Sequence, residues 1–349
     1  MALSKVNPSL VQNFGRRNLI INGDAQINQK GNQSGVGDAG YIGPDRWLSY
    51  INTSSTLTFS QETQTIGHTD NNPDSKYNFK FDWLGTGAST IKTIAQRIEG
   101  VHHGNGRKMT LSFWAKTEQA DDGIIRIIQS FGSGGSPSAG VVIDSSSIDF
   151  QNSWTYHTYT WDMPSTSGKT LGTDNNDHIE VQFRFTGTLN SYFQFTDVQV
   201  EVGDTATSYE RRSYGEELSL CQRYFFNILG GSTSQFAVNF GNFVSTGNNG
   251  HIAFNVPLPQ PMRADPTFTH DLANSNYQEV NPGATQWSFY YQNQGWGGKA
   301  GNGDLNTLSR AMNGKSSVTL GTYYISPGNT SSDQLYVGGS RKMWLSAEL

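Results

Sequence analysis

"RKMTLSFWAK", residues 107–116, alternates along its whole length. Met109, Leu111, Phe113 and Ala115 fall on one side of an extended chain; Thr110, Ser112, Trp114 and Lys116 fall on the other. Successive side chains of a strand point to opposite faces, so this period of two reads as a half-buried antiparallel strand. The same rhythm recurs downstream. "HIEVQFRFTG" (178–187) puts Ile179, Val181, Phe183 and Phe185 on one face, and "SYFQFTDVQVEVG" (191–203) is a further strand. "SWTYHTYTWD" (153–162) alternates with aromatics on both faces. Turn-forming runs such as "SGGSPSAG" (133–140) and "GTDNND" (172–177) separate these segments. The pattern then changes. "SYGEELSLCQRYF" (213–225) reads as a helix, with Ser213 and Glu216 in capping-box spacing. Leu218, Cys221 and Phe225 fall near one face of it. Strand patterns resume from "QFAVNFGNF" to "KMWLSAEL".

Composition agrees with an all-β chain of two domains. The 349 residues carry 39 Gly, only 15% charged residues and 12% aromatics, which suits many short strands with Gly- and Asn-rich turns. The balance of 24 basic against 29 acidic residues, net −5, argues against a nucleic-acid partner, which needs a basic stripe. The single cysteine, Cys221, excludes an intramolecular disulfide or a cysteine zinc cluster. "MALSKVNPSL" has no apolar core of signal-peptide length, and no apolar run reaches spanning length. The expectation is synthesis in a cytoplasm, with no membrane insertion.

Motifs that carry chemistry read as structural here. "SGKT" (167–170) lacks the phosphate-loop glycine five residues before Gly168, where Met163 stands. His102 and His103 are adjacent, so on a strand they face opposite ways. No nucleophile elbow exists. Asp121-Asp122 and Glu216-Glu217 are neighbours in a turn and at a helix start, not a flanking acid pair. Aromatic rings could stack on sugars; Trp83 and Trp296, flanked by Gly-containing loops, are the least core-like and are the candidate ligand-binding residues.

Several stretches in order resemble the virion fibre and appendage proteins of tailed bacteriophages. These are "NLIINGDAQINQKGN" (18–32), "YIGPDRW", "AQRIEG", "MTLSFWAKT", "SWTYHTYTW", "FQFTDVQVEVG", "TSYERRSYGEELSLCQRYF", "VPLPQPMRADPTFT" and the final "AEL". The resemblance implies a first domain similar to jelly-roll carbohydrate-binding modules. It also implies a non-enzymatic homotrimer on the virion, made in the host cytoplasm, that contacts host surface glycans as a tail fibre or receptor-binding appendage. It implies, too, a structural calcium beside the first strand, held by acids of that strand and of the last. Here Gln26 and Thr196 stand at two of the acidic positions. Asp197 and the carbonyls of Asn22 and Gly23 are what remain as ligands, too little charge for calcium, so no cofactor is expected.

The sequence is thus read as all-β: an N-terminal arm (1–17) that docks on other virion proteins, a jelly-roll β-sandwich (18–210), a junction helix (211–225) and a smaller C-terminal β-sandwich (226–349). Residues 18–32 are read as the first strand, lying beside the last one near 191–203. Two alternatives stand: a head-decoration or collar protein without sugar binding, and a polysaccharide depolymerase.

Overall fold

The computed structural model describes residues 16–36, 39–41, 43–51, 57–64, 76–83, 90–118, 121–187, 192–229, 238–243, 252–270, 288–291, 295–297, 308–312, 317–322, 333–337 and 343–349. The chain is all-β and divides into two compact units, Met1–Cys221 with Leu349, and Gln222–Glu348. In the first unit the strands are β1 (Gln33–Val36), β2 (Ala39–Gly40), β3 (Leu48–Ile51), β4 (Leu57–Thr63), β5 (Tyr77–Asp82), β6 (Thr90–Glu99) and β7 (Lys108–Thr117). They continue with β8 (Asp121–Ser130), β9 (Val141–Asp144), β10 (Ile148–Phe150), β11 (Thr155–Asp162), β12 (His178–Gly187) and β13 (Tyr192–Val202). One sheet has the order β1-β4-β5-β13-β7-β11; the other runs β10-β8-β12-β6-β3-β2, with β9 beside β8. From β5 to β8, and again from β10 to β13, each strand joins the sheet opposite its predecessor's. That is the winding of a jelly roll.

The alternation read in the sequence is what closes the sandwich. Met109, Leu111, Phe113 and Ala115 of β7 are fully buried, as are Ile179, Val181 and Phe183 of β12. The two sheets meet through aromatic rings. Phe183 of β12 lies 4.8 Å from Phe113 of β7, and Phe185 lies 5.0 Å from Phe193 of β13. Each fully buried ring of this size contributes about 1.5–3 kcal/mol through apolar area removed from water. Strand β13 breaks register against β7 between Thr196 and Gln199. Before the break Phe193 and Phe195 face the core; after it Val198 and Val200 do. A bulge of this kind shifts which residues of a strand face inward.

Residues 18–32 do not form the expected strand. They run beside β13 through isolated bonds, Leu19 N to Val200 O at 2.9 Å and Val198 N to Gly23 O at 3.0 Å, and ladder pairing begins only at β1. The helix α1 spans Tyr214–Gln222, and Ser213 Oγ accepts from the Glu216 amide. Its buried residues are Glu217 and Cys221; Leu218 is half-buried and Phe225 already belongs to β14. Of the face read from the sequence, Cys221 and Phe225 are buried and Leu218 is not; Glu217 joins the buried residues, because it has the buried partners described below.

The second unit contains β14 (Phe225–Leu229), β15 (Val238–Phe243), β16 (Ile252–Pro257), β17 (Thr267–His270), β18 (Ser288–Tyr291), β19 (Gly295–Gly297), β20 (Leu308–Met312), β21 (Ser317–Thr322), β22 (Asp333–Val337) and β23 (Met343–Ser346). They form three small antiparallel sheets, β14-β23-β17, β15-β22-β18-β19 and β16-β21-β20.

His157 of β11 points into the first unit, stacked on Phe113 at 5.3 Å and packed on Phe150 at 5.1 Å. Its Nε2 has no hydrogen-bond partner. Burial holds its imidazole below the ordinary value, against a smaller opposing pull from Asp149. Burial likewise lowers His103 and His178. Below the ordinary imidazole range of about 6.5 the unfolded chain binds protons that the folded one refuses. Stability is therefore full above that range and is lost as pH falls from it toward the lowered folded values. His157→Phe should make urea midpoints between pH 7 and pH 5 fall less steeply than in the parent; an unchanged slope would show that the ring titrates as if in solvent.

Candidate functional site

The outer side of the β1-β4-β5-β13-β7-β11 sheet carries the residues that alternate with the core. Register places Lys80, Gln194 and Lys116 in one row across β5, β13 and β7. The next row is Thr196, Trp114 and Tyr156 across β13, β7 and β11. Trp114 and Tyr156 touch as rings, with centroids 5.4 Å apart at 51°, and Tyr156 is 44% exposed. At the end of the first row the Lys116 ammonium lies 5.2 Å from the Trp154 ring, and the Lys80 ammonium lies 4.3 Å from the Tyr192 ring. Cation–π contacts of this kind hold both side chains against the sheet. Glu62 and Asp82 each stand 3.9 Å from Lys80, and Gln194 Nε2 donates to Glu62. Burial lowers the Lys116 pKa; Glu62 opposes this and Lys80 adds to it. Rings that offer flat apolar faces, interleaved with amide, ammonium and carboxylate groups, fit a ligand with both C–H faces and hydroxyls.

The residues named for calcium come together at one end of the same unit. Asn22, Ala25 and Asp197 hold left-handed backbone, with φ of 61°, 59° and 51°. A Cβ on Gly23 would lie 2.2 Å from Val198 O, so only glycine lets the turn approach the β13 bulge this closely. The Asn22 carbonyl accepts from Trp47 Nε1 at 3.2 Å, and its side-chain amide donates to Ile27 O and Asp45 O. Its backbone N–H donates to Glu217. Arg211 Nη2 donates to Asp197 Oδ2 at 3.2 Å, and its Nη1 lies 4.0 Å from Asp24 Oδ2. Arg212 Nη1 donates to Ile20 O at 2.9 Å and reaches the two Glu217 oxygens at 3.2 and 3.3 Å; its Nη2 donates to Asn18 O. Burial raises the Asp24 and Glu217 pKa values, against the arginines and hydrogen bonds that lower them.

The residues named for calcium already have other partners. A guanidinium sits on Asp197 and near Asp24, where a divalent cation would need the negative charge for itself. The Asn22 and Gly23 carbonyls already accept from Trp47 and Val198. Among the described residues no group of three His, Cys, Asp or Glu side chains is arranged for a metal. The His102 and His103 rings lie against one another, tilted by 31° with centroids 4.4 Å apart.

Trp83 is not a surface ring. It is fully buried, stacked on Phe81 at 6.4 Å and tilted on Phe185 at 5.8 Å. It stands two residues beyond Phe81 and so continues the inward side of β5. Trp296 stands in β19 opposite Tyr290, and its side chain lies outside the described residues. The outer-face rings were missed as candidates, although the alternation in 107–116 already set Trp114 and Lys116 on the polar side.

No family model matches this chain, and no curated protein matches it. Solved structures do. The enzymatically active domain of tailspike protein 4 from bacteriophage CBA120 is 14% identical at a TM-score of 0.34, covering 53% of this chain and 21% of that one. The family 11 carbohydrate-binding module of a cellulosomal cellulase from Clostridium thermocellum is 16% identical at 0.27, covering 51% of this chain and 98% of the module. The xylan-binding domain from Paenibacillus barcinonensis is 7% identical at 0.30, covering 51% of this chain and 99% of that one.

The Arg212–Glu217 pair is almost wholly buried, with 5% and 1% of the side chains exposed. Removing one member of such a pair leaves the other charged and unpaired, at a cost of about 3–5 kcal/mol. Arg212→Met should lower the unfolding free energy by that order in urea titration. Combined with Glu217→Gln it should lose measurably less than the sum, by more than about 0.5 kcal/mol. Simple additivity would show that the two groups do not act together.

Proposed function

We propose that the first unit binds glycans on the outer side of the β1-β4-β5-β13-β7-β11 sheet, without catalysing their cleavage. The observation that carries this is the touching pair Trp114 and Tyr156, flanked in the next row by Gln194 and Lys116. A sugar ring can lay its C–H face on such rings while its hydroxyls bond the ammonium. The wider setting rests on the ordered sequence stretches that resemble tailed-phage appendages. On that reading the chain is a virion protein, homotrimeric, that touches the host surface. Three weak contacts on one particle then gain through effective concentration. Residues 1–15, read as most of the docking arm, lie outside the described residues.

Trp114→Ala and Tyr156→Ala should each weaken binding to host surface polysaccharide about tenfold, equivalent to about 1.4 kcal/mol, in affinity electrophoresis. Both rings lie on the outer side, so melting temperatures should stay close to the parent's. Full retention of binding in the double variant would sink the proposal. Release of new reducing ends from the same polysaccharide would overturn its non-enzymatic part.

We also propose that the first unit folds without metal, Arg211 supplying the positive charge beside Asp197. Chelator should then shift the melting temperature by less than about 2 °C, the low end of what 1 kcal/mol produces in a domain of this size. A larger drop, absent in Asp197→Ala, would contradict it.

A further inference from the structure

Charge on the outer face is unevenly distributed. Lys80 has two carboxylates, Glu62 and Asp82, at 3.9 Å. Lys108 on the same strand as Lys116 pairs with Asp162 at 3.0 Å. Lys116 has no carboxylate at ion-pair distance among the described residues; its contact is the Trp154 ring. It stands in register with Gln194 and two residues from Trp114, so it is next to the ring pair. The chain as a whole is acidic, net −5, which makes an unpaired cation beside the aromatic floor stand out from its surroundings.

We propose that Lys116 selects an anionic glycan, one whose carboxylate or sulfate meets the ammonium while neighbouring neutral sugars lie on Trp114 and Tyr156. This rests on the glycan-binding reading of the same face. Three features support it. The ammonium is partly withdrawn from water, since burial lowers its pKa, so an incoming anion replaces solvation the side chain has already lost. Its position is fixed by Trp154, so little side-chain freedom is surrendered on binding. Glu62 and Asp82 are both engaged by Lys80, across β13 from Lys116, so of the two lysines in this row Lys116 is the one whose charge is not matched at ion-pair distance.

The test is a glycan array that carries uronate, sialylated and sulfated glycans, each beside its neutral parent. The parent protein should retain anionic members at least tenfold more strongly than their neutral parents, and added salt should reduce the difference. The uronate and sulfated arms report which anion is preferred. Lys116→Met should erase the difference, so that each anionic member is retained no more strongly than its neutral parent; Lys116→Arg should keep most of it. Equal retention of charged and neutral members, unchanged in Lys116→Met but lost in Trp114→Ala, would overturn the anionic selection and leave the glycan face standing. Retention of no glycan by the parent protein would overturn both.

Discussion

The buried guanidinium of Arg212 is the contact on which the first unit closes. The chain enters the sandwich at residues 18–24 without joining a ladder, so its backbone groups need other partners. Arg212 takes the carbonyls of Asn18 and Ile20, and Glu217 balances its charge. The remaining groups are met one by one. Gln96 accepts from Ile21 N and donates to Ile21 O, both at 2.8 Å. Glu210 accepts from Asn18 N at 2.7 Å, and Glu217 accepts from Asn22 N. Side chains from 210–217 thereby do for the entering segment what a neighbouring strand does elsewhere.

That arrangement sets the shape of β13. The turn at Gly23 reaches Val198, and the bulge between Thr196 and Gln199 receives it. The disturbance stops there. Between Phe193 and Thr196 the pairing with β7 is regular, and so is all of β7 against β11. The row that holds Thr196, Trp114 and Tyr156 is therefore the last undisturbed row before the bulge. The ring pair sits on regular sheet and inherits its rigidity, while the strained backbone at Asp197 lies immediately beyond it.

Much of this was legible in the sequence wherever side chains are sorted by polarity alone. Alternation in 107–116 and 178–187 gave the two-sheet core, since Phe113 and Phe183 meet across it. The bulge was legible too: inward residues run Phe193, Phe195 and then Val198, Val200, a change of phase written in "YFQFTDVQV". What polarity hides is a buried charge. Helix α1 was read by Leu218, Cys221 and Phe225, yet Glu217 is buried beside Cys221, and its partners Asn22 and Arg212 follow no periodicity. Trp83 misled for the opposite reason. Glycines follow it closely in sequence, but its own place continues the inward phase of Phe79 and Phe81.

The outer face also differs from an ordinary solvated sheet surface. Gln194 and Thr196 alternate with the core residues of β13 yet are 4% and 1% exposed. Thr196 Oγ1 donates to Tyr77 O at 2.8 Å, and Gln194 is tied to Glu62. A floor whose short polar groups are already bonded, under rings that are already in contact, has little freedom left to lose when a ligand arrives. The price of ordering that floor is met during folding, so whatever binds there loses mainly its own freedom. A solvated surface would have to fix its long side chains at the moment of contact; here Trp154 and Tyr192 hold the two lysines beforehand.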